Sequence, residues 1–336
     1  MFANIQTRLF EKILEKYARK SEAVEALEAL LSVGKDAIYR RFRGDTFLTP
    51  DELELLAKTY KISLDKLTFG HSDAVMVSFN AFEQPAQSFV EFVSNIHQQI
   101  KQLNELPDAH FYYASHEIPV FHYMYFPELI CFKFYVWGVT SWGFDYLKDK
   151  QFSFDIMPHP VREMCEKSID LYNRVPTTEL WSLGIVDNTL NQIEYVVTVD
   201  RFQNPTDGLL LCDKLLHLVQ HMKTMAEHGK KHPVNSTPHE GSATFNLYHN
   251  ELVSTNNMML VNSSVGRYLI ATFCNPNYFR SMDAKLCDYS EEWMERIINQ
   301  SSSISTHSAK NRDWFFSRLE KKIKRVRNRI EVELEE

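Results

Sequence analysis

The sequence predicts a mainly α N-terminal domain of short helices, followed by a larger α+β C-terminal region that contains a short β-meander. Three observations carry this reading. Apolar residues recur at helical spacing through the first seventy positions, interrupted at short intervals by Gly and Pro. Past residue 75 the helical segments are longer and richer in aromatic residues. From about residue 243 the pattern turns to short apolar runs separated by turn-forming residues. The expected division is 1–72, then a mostly helical 75–232, then a meander with closing helices over 243–336. The last two parts form either two domains or one.

The first segment resolves into five helices. Ile5, Leu9, Ile13 and Tyr17 form one stripe, widened by Phe10 and Leu14. A second helix starts with Ser21 as its N-cap and runs to Leu31, burying Val24, Leu27 and Leu31. "LSVG" breaks it, and Gly34 stands at the turn before "KDAIYRRF". Gly44 suits the left-handed residue that ends a helix. "TPDE" supplies Thr49 as N-cap, Pro50 at the first helical position and Glu52 three residues after the cap, which is a capping box. Leu53, Leu56 and Tyr60 follow as its buried stripe, and Ser63 caps a last short turn with Leu64 and Leu67.

Short helices with a tight turn between the second and third are the helix-turn-helix arrangement. On the same residues, "LSVGKDAIYRRFRGDTFLTPDELELLAKTYKISLDKL" (31–67) resembles the lambda-repressor/Cro (Xre-type) DNA-binding domain without a gap. The correspondence runs through Leu31 and Val33 in the turn, Ile38 in the third helix, Arg43-Gly44 at its end, "LLAK" and "ISLDKL". It departs at Gly34, where the family often has Ser, and at Arg41 and Phe42, which interchange polar and apolar character. The resemblance implies that the third helix enters the major groove of double-stranded DNA. The candidate DNA-binding residues are Lys35, Asp36 and Ala37 in its first turn, then Tyr39, Arg40 and Arg43. Helical spacing supports the same face, with Ile38 and Phe42 turned to the core. Arg is the side chain best shaped for bidentate contact with guanine.

The charge balance fits a local basic patch rather than a basic protein. The 336 residues carry a net charge of −7, yet residues 1–70 hold 12 Lys+Arg against 11 Asp+Glu. This argues against a protein coated in positive charge, such as a histone-like binder. No apolar run is long enough to span a membrane, and the charged N-terminal stretch does not read as a signal peptide. The five Cys are scattered, which fits reduced thiols in a cytoplasmic protein.

In the longer region, helices are expected at 86–105, 127–142, 160–173, 187–200 and 206–229, with one or two strands in 110–126 and a Pro/Ser/Gly linker over 229–242. "TFNLYHNEL", "NNMMLVNSS" and "RYLIATF" form the meander, with "VSTNN" as one of its turns, before helices near 285–299 and 309–330. "KDAIYRRFRG", "EIPVFHYMYFPEL" and "NRDWFFSRLEKKI" together resemble helix-turn-helix regulators with a long C-terminal region. That resemblance implies a regulator and supplies no ligand.

Signatures for nucleotide-binding loops, nucleophile elbows and zinc proteases are absent, so no catalytic residue and no cofactor is assigned. His217, His221, His228 and His232 fall within about 60° on an ideal helix. Histidines gather near helix C-termini for electrostatic reasons alone, and no metal site is expected there. The aromatics from Phe111 to Trp142 read as core before they read as a ligand pocket. "KKIKRVRNR" (321–329) precedes an acidic tail and reads as a self-compensated helix.

The expectation is a sequence-specific DNA-binding transcriptional regulator. It would be a homodimer through its C-terminal region, which serves effector sensing or self-association, an unknown small molecule being the candidate effector. Two rival readings remain open: an enzyme of unrecognised type with an accessory DNA-binding domain, and a protein-binding adaptor.

Overall fold

A computed structural model describes residues 4–69, 75–83, 87–252 and 255–335. These form two compact units, 1–75 and 76–336. The segment 70–74, where the sequence changes texture, lies outside the described residues, as do two residues of the 253–257 turn.

The first unit contains α1 (Ile5–Leu14), α2 (Lys20–Leu31), α3 (Lys35–Arg43), α4 (Pro50–Tyr60) and α5 (Leu64–Phe69). Each buries its predicted stripe in one core around Leu9, Ile13, Leu27, Ile38 and Leu56. The capping box at Thr49 and Glu52 is formed, with Pro50 opening α4. One local expectation needs correction. The N-cap of α2 is Arg19, so Ser21 lies inside the first turn. The left-handed residue of the α2–α3 turn is Ser32 (φ 53°), while Gly34 is extended and caps α3 with no side chain.

The second unit is α+β. In chain order it runs β1 (Ser78–Phe79), α6 (Asn80–Glu83), α7 (Phe89–Glu105), β2 (His110–Ala114), α8 (Val120–Tyr123), α9 (Pro127–Val139), α10 (His159–Tyr172), β3 (Thr177–Trp181), α11 (Asp187–Thr198) and α12 (Asp207–His228). It continues with β4 (Phe245–His249), β5 (Met258–Ser263), β6 (Gly266–Thr272), β7 (Tyr278–Ser281), α13 (Ala284–Asn299), β8 (Ser302–Ser303) and α14 (Ala309–Glu335). The strands form one sheet in the order β1-β7-β6-β5-β2-β3-β4-β8. The pairs β2–β3 and β3–β4 are parallel and the rest are antiparallel.

Strand alternation distributes the two faces. Phe111 and Tyr113 of β2 enter the large helical layer, whereas Tyr112 and Ala114 face Met294 and Trp293 of α13. The meander is β5-β6-β7 and not the expected set, because β4 pairs with β3 instead of β5. Only 110–114 of the 110–126 stretch is strand; α8 follows. The sheet draws strands from both expected parts, so 75–232 and 243–336 do not separate. The segment read as a linker is packed at its two ends, with Lys231, His232 and Ser242 buried, while 233–241 is mostly exposed. Three cations of the basic stretch of α14 pair with other helices of the unit: Lys322 with Asp187, Arg327 with Asp213 and Arg329 with Glu194.

At the centre of the sheet, β3 points a carboxylate into the helical core. Glu179 is fully buried and accepts from His122 Nε2 at 2.8 and 3.0 Å, Tyr172 Oη at 3.0 Å and Trp181 Nε1 at 2.9 Å. Burial alone would push this carboxyl up; the His122 imidazole, Lys231 and Tyr172 more than offset it and hold it below its ordinary range. The Lys231 side-chain nitrogen lies 3.3 Å from the Tyr172 ring centroid and donates to the Tyr172 carbonyl at 3.1 Å; burial pushes this amine well below its ordinary range against the pull of Glu179.

Glu179→Gln turns one acceptor oxygen into a donor facing donors. It should cost about 3–5 kcal/mol in urea unfolding at neutral pH. Because the folded pKa is depressed, the ionised carboxylate stabilises above the unfolded value near 4.5 and that contribution fades as pH falls below it. The gap between wild type and variant should therefore narrow in acid. A variant within about 0.5 kcal/mol of wild type at pH 7 would remove Glu179 from this role.

Candidate nucleic-acid interface

The third helix is short, fixed at both ends and cationic on one side. Gly44 ends it in the left-handed conformation (φ 79°), its N–H returning to Arg40 and Arg41 carbonyls. Ile38 is fully buried, and Phe42 packs on Phe10 with ring centroids 4.6 Å apart. Lys20 lies 4.8 Å from the Phe42 centroid and covers the outer edge of that contact.

The opposite arc holds Lys35, Asp36, Tyr39, Arg40 and Arg43, which span about 140° on an ideal helix. All five are exposed, and Ala37 is half-buried at their margin. Their charges are unequally engaged. Lys35 lies 3.7 Å from Glu25, and Arg43 pairs with Asp45 at 2.8 Å. Arg40 has no ion-pair partner among the described residues, so its guanidinium is the free cation of this face.

Arg41 belongs to a different structure. Its guanidinium is largely buried and donates to Glu52 Oε1 at 2.7 Å. The other Glu52 oxygen closes the capping box by accepting from the Thr49 N–H at 2.9 Å. One carboxylate thus fastens α3 to the start of α4. Gln6 does the same from α1. It is buried, donates to the carbonyls of Arg41 (2.8 Å) and Thr46 (3.0 Å), and accepts from the Leu48 N–H at 2.7 Å. Sequence reasoning missed both supports. The available signal for Gln6 was a polar residue beside the apolar stripe of α1; the Arg41–Glu52 pairing, eleven positions apart, had no periodic signature.

Three of the four histidines come together. His217 is exposed on α12, whereas the rings of His221 and His232 are 5.0 Å apart and those of His228 and His232 are 5.5 Å apart. Burial first, then the neighbouring His232, pushes His221 down to about 3, so it is neutral at pH 7. Among the described residues no group of three or more His, Cys, Asp or Glu is arranged to hold a metal ion. No described helix is long and apolar enough to cross a membrane.

No protein-family model matches the chain, and no curated protein and no solved structure matches it.

The two arginines side by side on α3 should separate cleanly in stability. Arg41→Ala leaves Glu52 half-buried and unpaired, and should cost about 1–3 kcal/mol in the unfolding of the first unit. Arg40→Ala should change stability by no more than about 0.5 kcal/mol. Equal losses for the two variants in thermal or urea unfolding would contradict this division.

Proposed function

We propose that the protein is a sequence-specific DNA-binding transcriptional regulator, with residues 1–72 acting as a helix-turn-helix domain of the lambda-repressor/Cro type. The observation that carries this reading is the outward face of α3: an Arg40 with no ion-pair partner among the described residues, between Tyr39 and Arg43, on a helix held rigidly from behind by Gln6 and Arg41. A reader of base edges needs a fixed backbone and a free guanidinium, since positional error erases bidentate geometry. Lys35, Asp36 and Ala37 occupy the first turn, where such helices meet base edges, and Arg43 is placed for phosphate. The proposal assigns no reaction, cofactor or membrane partner to the chain and places it in the cytoplasm.

Selection of a duplex from a random pool, followed by titration, tests it. Arg40→Ala should weaken binding to the selected duplex by about 1–3 kcal/mol and relax one base position, with circular dichroism unchanged. Undiminished binding by the folded variant would show that Arg40 reads nothing.

The working form we propose is a homodimer joined through residues after about 75. A single short helix reads few base pairs, and each mismatch costs only about 1–3 kcal/mol. Two copies about a two-fold axis double the footprint, with half-sites about 34 Å apart or a multiple of it. The apolar stripes of α1 to α5 are consumed by their own core, which leaves the contact to the second unit. In sedimentation at equal micromolar concentration, the full chain should be a dimer and residues 1–72 a monomer. A monomeric full chain, or an equally dimeric fragment, would refute the arrangement.

A further inference from the structure

The second unit contains a chamber that its core does not fill. It lies between α7, the helical-layer face of β2, β5 and β6, and the 275–276 segment, with a volume of about 230 Å³. Ile96, Leu103, Phe111, Met259, Val261 and Ile270 give it apolar walls. Interiors are close-packed, and apolar voids of this size are uncommon because every wall atom loses contacts. Scaled from an apolar cavity of about 150 Å³ that takes one benzene, the chamber admits about nine carbon atoms.

Two features mark it as more than a packing defect. The first is Asn257, which is nine-tenths buried in the chamber wall. Its Oδ1 accepts from the N–H groups of His116 (2.9 Å) and Glu117 (3.4 Å), which fixes the amide, while its Nδ2 has no protein partner among the described residues. The second is the adjoining vestibule of about 180 Å³, which shares Gln99, Tyr278 and Arg280 with the chamber. It is lined by side-chain amides, including Asn80, Asn95, Gln98 and Gln102, and by no carboxylate among the described residues. Arg280 is exposed there, and no described acidic side chain forms an ion pair with it.

The one carboxylate on the chamber wall among the described residues is already neutralised. Glu117 accepts from Lys133 Nζ at 2.9 Å and Asn188 at 2.7 Å, and from the Asn275 amide. Burial pushes its carboxyl up, but Lys133 and the two amides hold it below its ordinary range, so it stays ionised and paired. It presents no free charge to a ligand, and no free acid to attract a cation.

We propose that this cavity binds a small amphipathic monoanion, with an apolar body of about nine carbon atoms in the chamber and its anionic head in the vestibule on Arg280 and the amides. Asn257 gives the apolar body one place to carry an acceptor oxygen. The proposal goes beyond DNA recognition and does not depend on it, since every group named lies in the second unit.

The test uses the full-length chain without DNA, titrated calorimetrically with nonanoate and, separately, nonylammonium. Nonanoate should saturate at one per chain with a dissociation constant below about 100 µM, and nonylammonium should bind at least tenfold more weakly. Arg280→Ala, at an exposed position, should weaken nonanoate about tenfold. Ile270→Trp should fill the chamber and abolish binding; the wild-type comparison of the two probes stands without it if that variant misfolds. Equal affinity for the two probes, no saturable heat from nonanoate, or unchanged nonanoate binding in folded Arg280→Ala would overturn the proposal.

Discussion

The second unit is organised around one carboxylate that has no access to water. Glu179 sits on the strand at the middle of the parallel pairings and faces inward, where an isolated charge is prohibitively costly. Its tolerance rests on donors brought from α8, α10 and its own strand. Each donor fixes the position of the element that carries it, so the carboxylate sets how the helical layer meets the sheet. An apolar residue there would leave His122, Tyr172 and Trp181 with nothing common to point at. Lys231 and Tyr172 extend the same network into the residues just after α12, which explains why the start of that Pro- and Ser-containing stretch is buried.

The first unit solves a related problem on a smaller scale. Its core is a handful of aliphatic residues, and three polar side chains (Gln6, Arg41 and Glu52) define the angle between α1, α3 and α4. Hydrogen bonds are directional where apolar contact is not, so these groups set orientation while Ile38 and Leu56 supply adhesion.

Much of the helical content was legible in the sequence because its period is local. The stripe of α1, the capping box of α4 and the Pro127 start of α9 all follow from residues within one or two turns. The strand β3 was not legible: "TTELW" is buried on both faces, so it has no alternation, and its Thr and Glu imitate a loop. The strands of "TFNLYHNEL" and "RYLIATF" were visible as strands, but their partners were not, since pairing depends on residues far along the chain. The face of α3 could be drawn from helical spacing alone. That Arg40 is free while Arg41 is tied down could not, because both are arginines on one helix and only the fold places Glu52 beside one of them. The aromatic stretch is mostly core, as its composition suggested, yet Phe111, Tyr113 and Trp137 also border the chamber.

The sheet order has a consequence for how the molecule reaches this state. β1 pairs with β7 across about two hundred positions, Ser78 bonding to the Arg280 carbonyl at a separation of 202 residues. β2 lies between β3 and β5, and β4 is bordered by β8 near the far end of the chain. No contiguous stretch of the second unit can complete its own sheet. Loops of this length must close before their contacts return any free energy, and proteins rich in such contacts fold orders of magnitude more slowly than helical ones. The first unit is helical, and contacts such as Gln6 with Leu48 close a loop of 42 positions instead of two hundred, so it faces a shorter delay. In a refolding experiment the two units therefore run on separate clocks, the small one finished while the large one is still searching for its strand order.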